Sequence, residues 1–344
     1  MGETHLTLFL THRSKFHQEA ALAAAPDELE INIRRDPARD EVLALLPDVE
    51  FLITERSGTI DAEMIAAASK LRLIQRLGSL TYDIDLDAAR AADIPVCAVP
   101  VHGAIMVAEH LMMQTLVLLK HLRRAEQIAL EAGDWGVSKR TDENTFAYNW
   151  SGMRGVQGLR DKTVGIIGFG EIGAEMARRL HPFRPARILY YKRHQLPPHA
   201  EADLALTYVE PADLYAESDV LVMLLPYASA TDSMIDATVF QQMKPSACLV
   251  SCGSGSVIDE AALADAIRQG KLAGAALDTF EWEPLRPDNP LLALARDRSA
   301  NVLLTPHVAA GTPSEEEDGS SDRMDDYANL LHVLHEEPLE YRVV

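Results

Sequence analysis

The sequence predicts an α/β protein in which parallel sheets form two domains. Short apolar runs of strand length alternate with amphipathic helical patterns along most of the chain. Such alternation is typical of parallel sheets covered by helices. The chain has 344 residues, which exceeds one ordinary core and favours two domains. The pattern stops near residue 133 and restarts near residue 162, so the two halves have similar architecture.

The first hundred residues contain apolar runs that are predicted as strands at Leu6–Leu10, Phe51–Thr54, Leu73–Arg76 and Val96–Ala98. Amphipathic segments between them, such as Arg39–Leu46 and Leu86–Ala92, are predicted as helices. Residues 106–125 then form one long segment that is apolar nearly all round. A helix of that kind must be buried on most sides.

The second half repeats the pattern after a mixed stretch at 133–160, which is predicted as a loop. Helices fit most clearly at Glu171–Leu180 and Asp259–Gln269. Strands are predicted at Val164–Ile167, Ile188–Tyr191, Val220–Leu225, Ala247–Ser251, Ala273–Leu277 and Val302–Thr305.

Composition and charge argue against several classes of protein. With 47% apolar and 24% charged residues the chain is typical of soluble globular proteins. Nothing reaches 18 consecutive apolar residues, so a membrane span is not expected. The net charge of −20 disfavours nucleic acid as a partner. The acidic run at 314–326 is predicted as a solvated face or loose segment.

The N-terminal stretch and the cysteines lead us to expect a cytoplasmic protein. The opening stretch MGETHLTLFLTHRSK lacks the basic lead and the cleavage site of a signal peptide, and it is predicted as a first strand. Cys97, Cys248 and Cys252 show no metal-ligand spacing, and an odd number argues against a disulfide framework. We therefore expect a reducing compartment and no metal.

A glycine-rich loop predicts a dinucleotide site in the second half. Residues 163–180, TVGIIGFGEIGAEMARRL, place Gly168, Gly170 and Gly173 in the pattern G-x-G-x-x-G between a strand and a helix. The first glycine permits a sharp turn, the second lets a pyrophosphate approach the backbone, and the third lets helix and sheet pack closely. The helix N-terminus offers free N–H groups and a positive dipole end to the phosphates.

The residues after the next strand favour NADP over NAD. NAD-binding proteins usually carry Asp or Glu here, which accepts hydrogen bonds from the ribose hydroxyls. This chain instead has Lys192, Arg193 and His194. Cationic side chains attract a 2′-phosphate. The alternative is that these residues are solvated on a loop and the cofactor is NAD.

Several motifs, taken in order, resemble the D-isomer-specific 2-hydroxyacid dehydrogenase family. They are VAEH at 107–110, the glycine loop, LVSCGSGSVIDE at 249–260, LAGAALDTFEWEPL at 272–285 and NVLLTPHVAAGT at 301–312. The segment LRLIQRLGSLTYDIDLDAARAADIPV at 71–96 also looks like part of the family's substrate domain. The resemblance covers most of the chain.

The resemblance implies two Rossmann-like or flavodoxin-like domains with parallel sheets. A dinucleotide-binding Rossmann domain, 104–308, would be inserted into a substrate (catalytic) domain formed by 1–103 and 309–344. It further implies an oxidoreductase that transfers a hydride between NADP or NAD and a 2-oxo acid or 2-hydroxy acid. A small-molecule substrate and a homodimer are expected on the same basis.

The resemblance also implies roles for residues around the nicotinamide. His307 matches the family's acid/base, and imidazole suits proton transfer near neutral pH. Glu283 matches its carboxylate partner. The cofactor-binding positions are those of the glycine loop and of four later segments: Gly168, Gly170, Glu171, Ile172, Gly173, Lys192, Arg193, Pro226, Cys252 and Asp278. For Asp278, an equal alternative is a strand-end residue that caps nearby backbone N–H groups.

Substrate contacts are expected from the first domain. Gly78, Ser79 and Leu80 match a loop whose backbone N–H groups hold a substrate carboxylate in the family. Most relatives have a glycine where Leu80 stands, so the pocket is expected to be narrower or reshaped. Arg56 matches a position that faces the substrate in some members, although an arginine after a strand is more often a surface residue.

One position departs from the family pattern. In LVSCGSGSVIDE, Ser254 stands where the family's catalytic arginine grips the substrate carboxylate and polarises its carbonyl, and serine cannot replace a delocalised cation. Three explanations stay open. Another cation, such as Arg56, replaces the arginine; the substrate lacks the usual 2-oxo-acid arrangement; or the chain is a dinucleotide-binding sensor or interaction protein with weak or altered catalysis.

Overall fold

The fold is described from a computed structural model that covers residues 4–131, 133–311 and 321–344. These residues divide into two compact units, one made of 4–102 and 321–344 and the other of 103–131 and 133–311. Most of the predicted acidic segment, residues 314–320, lies outside the described residues.

The first unit contains a parallel five-stranded sheet with the order β2-β1-β3-β4-β5. Its strands are β1 (His5–Thr11), β2 (Leu29–Arg35), β3 (Phe51–Thr54), β4 (Leu73–Leu77) and β5 (Val96–Val99). Helices connect consecutive strands: α1 (Lys15–Ala23), α2 (Arg39–Leu45), α3 (Ala62–Ala67) and α4 (Leu86–Ala91). The strand order reverses between β1 and β3, and loops at such a reversal are where open parallel sheets usually bind ligands.

Two helices precede the second sheet, namely α5 (His102–Leu119) and α6 (Leu122–Glu131). The sequence predicted one long helical segment over residues 106–125. That prediction was wrong, because the structure contains two separate helices. The chain turns at His121, whose φ of 47° interrupts the helix. Ten of the 18 residues of α5 are buried, which agrees with its apolar character.

By length and composition, α5 is also apolar enough to cross a membrane, with a mean hydropathy of 1.3. Half of its residues are buried inside the molecule. A buried core helix has the same composition, so this observation is weak support for a membrane span.

The second unit contains a parallel seven-stranded sheet with the order β12-β11-β10-β9-β6-β7-β8. Its strands are β6 (Thr163–Ile167), β7 (Arg187–Tyr191), β8 (Leu206–Tyr208), β9 (Val220–Met223), β10 (Cys248–Ser251), β11 (Gly274–Leu277) and β12 (Val302–Leu304). Its remaining helices are α7 (Glu171–Leu180), α8 (Pro198–Asp203), α9 (Pro211–Glu217), α10 (Ala237–Gln242), α11 (Glu260–Arg268) and α12 (Pro290–Arg296). The order reverses between β6 and β9.

The central strands of the second sheet explain why it was predicted well. Strands β6, β9, β10 and β11 are buried at every residue. A parallel strand that is covered on both faces must be apolar throughout, so it leaves a continuous apolar run in the sequence. Residues 133–160, predicted as a loop, form neither helix nor strand.

The chain then returns to the first unit. A 3₁₀ helix at Ser321–Tyr327 leads into α13 (Ala328–Leu334). The Tyr327 hydroxyl donates to the Ala21 carbonyl at 2.6 Å, and Leu330 is buried in the same core cluster as Phe9.

Candidate functional site

The glycine loop lies at the carboxyl end of β6, beside the reversal of strand order. Gly168 has a φ of 88°, and a Cβ atom there would lie 2.6 Å from the Leu225 backbone nitrogen. Both facts demand glycine. Gly170 is the N-cap residue of α7 and has no side chain with which to cap it. The first N–H groups of α7 therefore remain available to an anion, with Glu171 and Ile172 in that first turn.

A cavity of about 280 Å³ lies next to this loop. It is lined by Leu224, Leu225, Pro226, Cys252, Gly253, Ser254, Thr279 and His307. Its lining thus comes from the ends of three neighbouring strands, β9, β10 and β11, and from the segment after β12. A cavity of about 400 Å³ lies between α10 and α11, but no histidine or glycine-loop residue lines it. The smaller cavity is the better candidate site because the chemically useful side chains converge there.

His307 and Glu283 form a pair at this cavity. The Nδ1 atom of His307 lies 2.7 Å from Oε2 of Glu283. The other oxygen, Oε1, accepts the Phe280 backbone N–H at 2.9 Å, which fixes the carboxylate. The imidazole side chain is 60% exposed, so its Nε2 edge is accessible to a small molecule. A carboxylate at Nδ1 sets the tautomer and leaves Nε2 for proton transfer.

The loop that carries His307 is held by Asp278. His307 has a φ of 54°, a left-handed conformation that is unfavourable for a residue with a Cβ atom. Its N–H donates to the Asp278 carbonyl at 2.8 Å. The Asp278 carboxylate, fully buried, accepts the N–H groups of Val308 and Ala309 at 3.1 and 2.9 Å. Three consecutive N–H groups thus bond to one residue.

The stretch around Ser254 packs tightly against its neighbours. The Ser254 hydroxyl accepts the Tyr227 N–H at 2.9 Å, and the Ser254 N–H donates to the Leu225 carbonyl at 3.0 Å. The Thr279 hydroxyl donates to the Gly253 carbonyl. The side chain that replaces the family's arginine therefore bonds to the Pro226–Tyr227 turn.

A cluster of metal-ligand types lies beneath this stretch. Ligand atoms of His110, Cys252 and Asp278 all lie within 4.8 Å of one another. The Cys252 thiol lies 3.7 Å from Oε1 of Gln114, and burial raises the pKa of that thiol, so it stays protonated. Asp278 is already occupied by backbone donors. Hydrogen bonds therefore account for this cluster without a cation.

Two buried polar atoms nearby have no hydrogen-bond partner among the described residues. They are Nε2 of Gln114 and the hydroxyl of Ser251, and both residues are fully buried. Ser251 stands at the position where the family pattern has asparagine. Buried polar atoms without partners are uncommon and mark sites that bind water or ligand.

The basic residues follow β7 directly. Lys192 is half-buried and Arg193 is exposed, both at the carboxyl end of the strand beside the glycine loop. The backbone N–H of Gly168 donates to the Tyr191 carbonyl at 3.1 Å, so Lys192 is one residue from a direct contact with the loop.

The predicted substrate residues lie together in the first unit. Arg56 follows β3, and Gly78, Ser79 and Leu80 follow β4; these two strands are neighbours in the sheet. Arg56 and Gly78 both adopt positive φ, 60° and 126°. Leu80 is buried.

Two residues that the structure brings to the site were not predicted from the sequence. Thr305 bonds to Asp278, and His110 bonds to Thr305. Both stand inside motifs that were recognised, TPHVA and VAEH. Their contact joins residues 195 positions apart in the chain, and no local pattern signals it.

The fold and the site define a dinucleotide-binding α/β protein with a histidine–glutamate pair beside the expected nicotinamide position. Comparison with known proteins narrows this class. Residues 112–309 match the D-isomer specific 2-hydroxyacid dehydrogenase, NAD binding domain. The chain belongs to the D-isomer specific 2-hydroxyacid dehydrogenase family.

Individual relatives agree with this assignment. A D-3-phosphoglycerate dehydrogenase of Archaeoglobus fulgidus is 34% identical over 284 residues, which are 83% of this chain and 50% of that protein. A glyoxylate reductase of Pyrococcus furiosus is 32% identical over 289 residues, 83% of this chain and 81% of that protein. The PH0520 protein of Pyrococcus horikoshii OT3 has a similar structure, with a TM-score of 0.56, 27% identity and coverage of 99% and 95%. The chain spans about half the length of the D-3-phosphoglycerate dehydrogenases that it matches.

Proposed function

We propose that this chain is an oxidoreductase that uses NADP in preference to NAD and interconverts a 2-oxo acid and a 2-hydroxy acid. The observation that carries the proposal is the 2.7 Å contact between His307 Nδ1 and Glu283 Oε2, beside a cavity whose lining residues Leu224 and Leu225 pack against Gly168. The relatives' names support the substrate class, since they include glyoxylate and hydroxypyruvate reductases.

The chain's own groups have separate roles in this mechanism. When bound, a nicotinamide dinucleotide would provide the hydride-transfer chemistry. Gly168, Gly170 and the first turn of α7 would hold its pyrophosphate. His307 donates a proton from Nε2 to the alkoxide that develops on the substrate, and Glu283 holds the ring in place through its contact with Nδ1. In the reverse direction His307 accepts the proton.

The cofactor preference rests on charge. Lys192 and Arg193 follow β7 where a carboxylate would otherwise bind the ribose hydroxyls. Two cations at this place stabilise a 2′-phosphate, which a carboxylate would repel. NADPH should therefore be the better reductant, and NADH a weaker one.

The substrate carboxylate is assigned to the first unit. The backbone N–H groups of the loop at Gly78, Ser79 and Leu80 would hold it. The homodimer is proposed because exposed apolar side chains accumulate on α6 and the following loop, among them Leu130 (76%) and Val137 (88%). A cytoplasmic location remains a proposal that rests on the free cysteines.

A second function is favoured by Ser254. Its hydroxyl bonds to the Tyr227 N–H and offers no positive charge to a substrate. A dinucleotide-binding sensor or interaction protein with weak or altered catalysis would tolerate this residue. The His307–Glu283 pair favours catalysis instead, since a sensor has no use for an accessible imidazole bonded to a carboxylate.

One set of assays tests these functions. Oxidation of NADPH and NADH is followed with glyoxylate, hydroxypyruvate, other 2-oxo acids and plain ketones. Turnover of a 2-oxo acid, faster with NADPH, is expected. His307→Ala should lower kcat by about two to four orders of magnitude, the range for losing a general acid–base, while cofactor affinity stays nearly constant.

The exposed His335 provides the control, because His335→Ala should leave kcat unchanged. Full activity in His307→Ala would remove that residue from its role. Cofactor binding without turnover of any substrate would favour the sensor. A faster rate with NADH would contradict the assignment of Lys192 and Arg193.

A further inference from the structure

A short chain of polar side chains connects helix α5 to the loop that carries His307. The Nε2 atom of His110, on α5, lies 3.1 Å from the Thr305 hydroxyl and 3.6 Å from Oδ1 of Asp278. The Thr305 hydroxyl donates to the same Oδ1 at 2.5 Å. The His110 side chain is only 12% exposed, so this contact is sheltered from water.

The contact distances assign the hydrogens along this chain. Thr305 has a single hydroxyl proton, and its 2.5 Å contact with Oδ1 of Asp278 takes that proton in preference to the 3.5 Å contact with the Leu277 carbonyl. The Thr305 oxygen must then accept, and its donor is N–H at Nε2 of His110. The direction is therefore His110 to Thr305 to Asp278. Hydrogen bonds that end on a charged group strengthen one another where water is excluded.

Asp278 connects these hydrogen bonds to the loop that carries His307. Its carboxylate and carbonyl bond to the N–H groups of His307, Val308 and Ala309, as described above. Those bonds hold His307 at a φ of 54°, a conformation that does not persist unless its surroundings impose it. A shift of the Asp278 carboxylate would therefore move the imidazole away from the position it needs for proton transfer.

The burial of Asp278 makes the hydrogen bond from His110 to Thr305 necessary. Asp278 is fully buried, and Nε2 of His110 lies 3.6 Å from its Oδ1. Removing the His110 donor would leave an acceptor of Thr305 unfilled and would weaken the support of a buried charge. The neighbouring Cys252 cannot take over this part, because its S–H is directed to Oε1 of Gln114.

We propose that His110 is a positioning residue for His307, and that it acts by donating from Nε2 through Thr305 to Asp278. His110 itself touches neither substrate nor cofactor in this proposal. The inference rests on the proposed function where kcat is measured, but the geometry of the loop can be tested without any turnover.

The test compares two substitutions of one residue. His110→Gln keeps a donor, since its amide N–H can reach Thr305, whereas His110→Leu has similar bulk and no donor. In His110→Leu, kcat should fall by between about tenfold and a hundredfold, the cost of misplacing a catalytic group by about 1 Å. KM and the Kd of NADPH should stay within about twofold. His110→Gln should recover most of the loss. His199→Leu, at an exposed histidine at the start of α8, is the matched control.

A second readout is independent of activity. The backbone amide signals of His307, Val308 and Ala309 are compared by ¹H–¹⁵N NMR in the three proteins. They should move in His110→Leu and return toward the wild-type positions in His110→Gln. If no substrate is ever turned over, the proposed function fails, yet these signals still decide the role of His110.

Three results would overturn the inference. They are amide signals that stay unmoved in His110→Leu, an unchanged kcat in that variant, or a loss in His110→Gln as large as in His110→Leu. Should His110→Leu not fold, Thr305→Val removes the middle hydroxyl with little change of shape and is expected to give the same fall in kcat and the same amide shifts.

Discussion

At the scale of single residues, Ser254 has the largest chemical consequence. A bidentate guanidinium–carboxylate pair contributes about 1.5–3 kcal/mol, and serine contributes none of it. The Ser254 hydroxyl is also engaged by the Tyr227 N–H. Ser254→Arg should therefore raise kcat/KM for 2-oxo acids by about tenfold or more, since each 1.4 kcal/mol is tenfold. Steady-state kinetics with glyoxylate and hydroxypyruvate check this.

The matched variant Ser254→Gln separates charge from size. Glutamine has comparable reach but no positive charge, so Ser254→Gln should give no gain in kcat/KM. A fall in kcat/KM with Ser254→Arg would mean that the serine belongs to a pocket shaped for a substrate without a carboxylate at this place. An unchanged value would mean that another cation already grips the substrate.

The residues of the site could be located from sequence only where a motif carried them. The glycine loop, His307 and Glu283 stand in local patterns whose spacing reflects a strand end or a turn. His110 and Thr305 could not be paired in advance, because their contact depends on how α5 packs beside β12. The conformation of His307 was equally hidden, since nothing in TPHVA signals a positive φ.

At the scale of elements, the turn after β10 and the segment after β11 pack closely together behind the cavity. The 3₁₀ turn Gly255–Val257 lies against the segment that follows β11. A Cβ atom at Gly255 would overlap the backbone of Phe280, whose N–H also fixes Glu283. Because neither backbone can give way cheaply, Gly255→Ala should destabilise the second unit by about 1–3 kcal/mol. Urea unfolding followed by tryptophan fluorescence checks this, since all three tryptophans, Trp135, Trp150 and Trp282, lie in that unit.

Gly103→Ala provides the comparison. Gly103 lies in the first turn of α5 with open space where its Cβ would be. Alanine there should keep or raise the free energy of unfolding, because it favours the helix over glycine. Equal stability of Gly255→Ala and the wild type would show that the turn and the segment can separate without cost.

The elements that the sequence did not predict share a physical reason. Strand β2 alternates Leu29, Ile31 and Ile33 with polar residues and lies at the edge of its sheet, so it lacks the continuous apolar run of a central strand. Strand β8, also at an edge, has only three residues. The break between α5 and α6 at His121 has no glycine or proline to announce it.

At the scale of the whole molecule, the first unit is assembled from both ends of the described chain. Residues 321–344 pack against the sheet that contains residues 5–11, since Tyr327 and Leu330 share a core cluster with Phe9. A buried ionic cluster joins them, in which Arg323 bonds to Glu55 at 3.1 Å and to Asp326 at 2.6 Å, and Arg13 bonds to Glu55 at 3.0 Å. The stability of this unit should therefore depend on the charge state of the cluster.

The titration of Asp326 makes that dependence measurable. Burial raises the pKa of Asp326 to about 6, and the opposing effect of Arg323 does not cancel it. A carboxyl whose folded pKa lies above its ordinary value stabilises the fold while protonated, and this contribution is lost as the pH rises through 6. Relative to Asp326→Asn, which does not titrate, the wild type should gain up to about 3 kcal/mol of unfolding free energy between pH 7 and pH 4.

Amide hydrogen exchange in β1 measures this gain, because it reports unfolding of the first unit alone. Asp36→Asn, at an exposed aspartate in the same unit, should show no such trend. A stability difference that stays constant over this range, or that moves in favour of Asp326→Asn as the pH falls, would mean that Arg323 keeps the Asp326 carboxyl ionised in a permanent ion pair.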